Sequence, residues 1–204
     1  MLKNLGVNTK DLRASIELLT LDVNKRVICR GRDVSIKEIL AEAHERIEEM
    51  AKKKDRAISN FSMIEKIANK SNDVEVKQVS DRISSGVQKV LNATNEIIKR
   101  YMDSARKHVA EISVLSGDDE IQGLKTYADM LTNHLPGVFN CFGEGQTHIT
   151  NQFSDPIARN ISHALLSDLA EYSVALEMFL DCKIALDVEV VRSATEKRKQ
   201  REAG

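Results

Sequence analysis

Between Ile36 and Ala68, apolar residues recur at alternating steps of four and three: Ile36, Leu40, Ala43, Ile47, Met50, Ala57, Phe61, Ile64 and Ala68, with Lys54 standing in the pattern. That spacing returns to one side of an α-helix every seven residues and specifies knobs-into-holes packing against another helix. A chain carrying it for more than four repeats has few folds open to it. A helix over 35–70 would be about 54 Å long. Its start is marked by Asp33 or Ser35 as cap, with Glu38 three residues after Ser35 in capping-box position.

Ser71-Asn72-Asp73 is a polar break that can end one helix and cap the next. A second seam follows through Val76, Ile83, Val87, Val90, Thr94, Ile97, Tyr101, Ala105, His108, Ile112 and Leu115. The steps of four across Ile97, Tyr101 and Ala105 resemble a stutter, which locally unwinds a supercoil. The third long helix is expected over 151–200, with Pro156 suited to a first helical position. One of its stripes holds Ile161, Leu165, Leu169, Tyr172, Leu176, Phe179, Leu186 and Val190. A second holds Leu166, Leu180, Ile184, Val188 and Val191. An apolar surface this broad needs cover on more than one side. The helix is therefore central in a bundle or shared with a second chain.

The fold class expected is all-α: an elongated antiparallel bundle of three long coiled-coil-like helices with short flanking helices. The long helices are expected to run up, down and up. Residues 1–34 form an N-terminal helix and basic turn, and 35–204 form the long-helix bundle. Leu12, Ile16, Leu19 and Val23 place a helix over 8–24. The alternation at 19–23 and the β-branched residues beside Gly31 leave a short hairpin open as the alternative for 19–32. A short helix is expected over 120–134. A connection around Phe139, Cys141 and Phe142 would close one end of the bundle.

Composition narrows the function classes. Lys and Arg number 30 against 31 Asp and Glu, a net charge of -1, so the surface as a whole is no platform for nucleic acid or membrane. Cys29, Cys141 and Cys182 form neither a CxxC motif nor an even disulfide framework and read as reduced thiols of a cytoplasmic protein. Met1–Val7 carries no secretory-signal pattern, and charges interrupt the apolar stretch 161–191 too often for a membrane span. The N-x-[ST] matches at Asn60, Asn92 and Asn160 are read as chance.

Catalytic and cofactor motifs are weak. No Glu precedes His44, His108, His134, His148 or His163 at Glu-x-x-His spacing, and HExxH is absent. Asp118-Asp119-Glu120 lacks the ligand alternation of a calcium loop. Gly143-Glu144-Gly145 has no lysine behind it to hold phosphate. Cys141 with His134 or His148 matches no nucleophile motif and reads as part of a hydrophobic plug. Hence no enzyme, cofactor or metal is expected.

The expected function is that of a non-enzymatic helical interaction protein, structural, adaptor or inhibitory. It would self-associate through Leu166, Leu180, Ile184, Val188 and Val191, as a homo-oligomer or with another protein. Two basic clusters offer alternatives: Lys25, Arg26, Arg30 and Arg32, and Lys52, Lys53, Lys54 and Arg56. Either could contact anionic lipid, making the chain a peripheral membrane-binding dimer, or the phosphates of a nucleic acid. Lys197, Arg198, Lys199 and Arg201 form a third basic group in a tail expected to fray.

Overall fold

The computed structural model describes residues 8–112, 114, 115, 119, 122, 123 and 156–204. They form, in order, α1 (Thr9–Glu17), β1 (Arg26–Cys29), β2 (Arg32–Ser35), α2 (Ile36–Lys70), α3 (Val74–Ile112) and α4 (Pro156–Glu202). The protein is mostly helical, and α4 is the longest element among the described residues. The expected connection at 135–150, with Cys141, His134 and His148, lies outside the described residues. So does the expected helix over 120–134, except for 122 and 123.

Asn8 caps α1 by accepting a hydrogen bond from the Lys10 N–H at 3.1 Å, and Leu12 and Ile16 are its buried face. The helix stops at Glu17, short of the expected end at 24. The chain beyond it is used in another way. Ile36 N donates to the Lys25 carbonyl and Lys37 N to the Val23 carbonyl, each at 2.9 Å. The first N–H groups of a helix have no partner within it. At α2, the turn at 23–24 and Lys25 after it supply two acceptors, and a continuing α1 could not. A hairpin forms, as in the alternative reading of 19–32, but its strands take 26–29 and 32–35, and 19–25 is turn and irregular chain. β1 and β2 pair antiparallel with Cys29 opposite Arg32, across a two-residue turn in which Arg30 and Gly31 both have positive φ, 51° and 71°. That is the turn whose twist matches a hairpin.

The capping box at the start of α2 forms as expected, with Ser35 Oγ accepting from the Glu38 N–H and the Glu38 carboxylate accepting from the Ser35 N–H. The seam is buried along the helix: Ile36, Ala43, Ile47, Met50, Ala57, Phe61, Ile64 and Ala68 are core residues. Ile39 is fully buried while its neighbour Leu40 is half-buried, so the first turns are rotated slightly from the strict heptad.

α2 and α4 pack against each other in opposite directions. Lys53 pairs with Glu171, Arg56 and Asn60 both reach Asp168, and Lys25, just before α2, reaches Glu189. Numbers fall along α4 as they rise along α2. α3 buries Ile83 and Val87 in the same core, and beyond its far end Arg198 donates to the Val114 carbonyl. α3 and α4 therefore run the same way, and the expected up, down, up order is corrected. Periodicity places a helix face but carries no direction, and the long segment before α4 lets it start at either end. Three acids of α4, Asp168, Glu171 and Glu189, take base or amide partners from α2 and the hairpin in this register.

α4 is central. Leu165, Leu169, Tyr172, Leu176, Phe179 and Leu186 are buried, and α4 touches both α2 and α3, α2 far more extensively. Its core also holds Lys183 paired with Asp187 one turn on, both buried. Ser162 and Thr195 satisfy their hydroxyls on the carbonyls of Ala158 and Val191.

Candidate interaction surface

The basic clusters come first, because their chemistry depends on what neutralises them. Lys25 reaches Glu189 at 2.6 Å and Glu196 at 3.5 Å. Arg26 pairs with Asp33 at 3.2 Å across the hairpin. Arg30 and Arg32 converge on Glu42. Lys53 and Arg56 take Glu171 and Asp168 of α4. Within the C-terminal group, Arg198 holds Glu202 at 2.8 Å, inside a helix that continues to Glu202 rather than fraying at 196. The acids of Lys25, Lys53 and Arg56 lie far away in the chain, on α4, whereas those of Arg26, Arg30, Arg32 and Arg198 are near in sequence.

Titration follows the pairs. Hydrogen bonding to Glu189 raises the Lys25 ammonium above its ordinary value against the opposing cost of burial. Burial disfavours the charge of Glu42, yet the Arg30 hydrogen bond and the Arg30 and Arg32 charges together hold its carboxyl below the usual range. The Lys53 hydrogen bond does the same for Glu171.

Of the residues expected at an oligomer interface, Leu180 and Val191 are only 4% and 0% exposed in the single chain. They belong to its own core. Leu166, Ile184 and Val188 are half-buried. Ile184 and Val188 line a groove of about 350 Å³ between β1 and the C-terminal half of α4, with Ile28, 67% exposed, on its opposite wall. Glu189 also lines it. One oxygen of that carboxylate holds Lys25 and the Ser193 hydroxyl, and the other is buried without a hydrogen-bond partner.

Upstream of the hairpin, the outward side of α4 is open. Arg159, His163, Ala170, Val174 and Glu177 are exposed, and Leu166 and Asp181 are half-buried. Val174 is 54% exposed, a β-branched apolar side chain on a solvent face. In the sequence it adds width beside the two stripes, and in the structure it shares the open face with Leu166 of the second stripe.

Cys29 and Cys182 are free and buried, and burial pushes the Cys182 thiol up to about 12. His44 holds the Leu40 carbonyl at 2.7 Å through Nδ1. Among the described residues, no group of three or more His, Cys, Asp or Glu side chains is placed to hold a metal ion. No helix there is long and apolar enough to cross a membrane. Compared with protein-family models, curated proteins and solved structures, the chain matches none of them.

Proposed function

We propose that this chain is a non-enzymatic helical interaction protein, of scaffold or adaptor type, that self-associates through the outward face of α4. The observation that carries this reading is the open stripe around Val174 and Leu166 on a helix whose other apolar residues are mostly buried by its own chain. A long helix pair braced by charged rungs is a stiff support for such a face. The lipid and nucleic-acid readings draw less support, because Lys25, Arg26, Arg30, Arg32, Lys53 and Arg56 already hold carboxylates. A cation paired within the protein releases fewer counterions when it meets a phosphate.

The test is absolute mass by light scattering over a range of concentrations, for the natural chain and for Val174→Glu. A dimer or larger assembly that Val174→Glu converts to a folded monomer supports the reading. A monomer at every concentration overturns it. Cosedimentation with acidic and neutral vesicles checks the lipid alternative, and equal recovery from both is expected.

A further inference from the structure

The open stripe of α4 reads the same from both ends. Taking Ala170 as centre, Leu166 lies four residues before it and Val174 four after. His163 lies seven before and Glu177 seven after, and Arg159 and Asp181 stand eleven to either side. With 3.6 residues per turn, all seven positions fall within about 40° of one line along the helix. All seven are exposed or half-buried. The basic members are on the N-terminal side and the acidic members on the C-terminal side. The centre is alanine, whose small side chain lets two helices approach closely.

We propose that this stripe, Arg159 to Asp181, binds the same stripe of a second copy in antiparallel orientation, with the two-fold axis at Ala170. A two-fold interface places each residue against its mirror position in the other copy. Leu166 then meets Val174 of the other copy, His163 meets Glu177, and Arg159 meets Asp181. Every apolar residue faces an apolar one and every base an acid, each contact occurring twice. A parallel pair would set like against like, Glu177 on Glu177 and Asp181 on Asp181, and loses by repulsion. The groove beside β1 begins at Asp181, where the hairpin takes over one side of the helix, so the stripe ends where free access ends. The inference rests on the self-association proposed above and adds its orientation and register.

The test combines charge exchange with cross-linking. Glu177→Lys replaces two acid–base contacts with two between basic side chains and is expected to weaken the dimer about tenfold. His163→Glu is expected to act in the same direction. The double variant His163→Glu/Glu177→Lys restores complementarity and should return the dimer toward its natural strength, which a merely damaged surface would not do. Ala170→Cys should form a disulfide-linked dimer on mild oxidation. Glu177→Cys should not, since its two copies lie about 21 Å apart along the pair. A natural chain that is monomeric throughout overturns both the self-association and this register. A dimer that ignores the charge exchange, or that cross-links as well at 177 as at 170, overturns the register and leaves self-association standing.

Discussion

The Lys25 ammonium reaches 2.6 Å from the Glu189 carboxylate, across 164 residues of chain, and that carboxylate is 2% exposed. The pair ties the hairpin to the C-terminal half of α4. Removing one partner of a buried pair leaves the other charged and unsolvated. Lys25→Met is expected to cost about 2 kcal/mol, read as a lower urea midpoint, since Glu189 already has one unpartnered oxygen. Lys25→Met/Glu189→Leu should recover most of that loss. The Lys25 value is raised in the folded state, so its contribution is complete below the ordinary 10.5 and is lost only as pH rises through the higher folded value.

The hairpin turn offers a cleaner substitution. Gly31 has φ +71°, and a Cβ added there would meet nothing within 4 Å. Gly31→Ala therefore carries only the backbone penalty of the left-handed region, about 1 kcal/mol. Gly31→Asn should cost less, because asparagine tolerates that region. Equal thermal stability of the alanine variant and the natural chain would contradict the turn.

Acid should loosen the N-terminal end of the bundle. The Ser35 backbone and hydroxyl hold the Glu38 carboxyl below its usual value, and Glu42 and Glu171 are lowered as described. Depressed carboxyls stabilise the fold above their ordinary value of 4.5, and the gain is lost as pH falls through the lower folded values. Urea midpoints should decline steadily below that pH. Glu38→Gln should flatten the slope, and an unchanged slope would separate the capping box from acid stability.

Cys182 is fully buried and its thiol is held near 12. Alkylation proceeds through the thiolate. Native Cys182 should react with iodoacetamide roughly a thousandfold more slowly than in the unfolded chain, on ionisation alone. Peptide mass mapping after a timed pulse would read this directly. Labelling of Cys182 at the unfolded rate would place it at the surface instead.

The sequence carried the helices well and their arrangement poorly. The α2 seam was legible because every seventh residue repeats, and Ser35 with Glu38 marked its start by hydrogen-bonding chemistry alone. The hairpin was legible only as an alternative, since Val27 and Ile28 suit a strand and Gly31 a turn, while Leu12 and Ile16 suit a helix that had to stop somewhere. Direction was not legible. It resides in Arg56 and Asn60 meeting Asp168, a contact between residues more than a hundred apart with no local signature. The same distance hid the acids that neutralise Lys25, Lys53 and Arg56. Leu180 and Val191 read as surplus apolar surface because a stripe count cannot say what the rest of the chain packs over them.

The opposed course of α2 and α4 has a mechanical consequence. α1 sits beside the first turns of α2, through Arg13 and Glu48, and the end of α4 lies beside Lys25 through Glu196. Tension applied between α1 and the end of α4 would pull from a single end of the rod. It would open the rungs one after another, Glu189 first, then Glu171, then Asp168, as a zip opens. A pull along the α2–α4 pair would instead load all of these contacts at once.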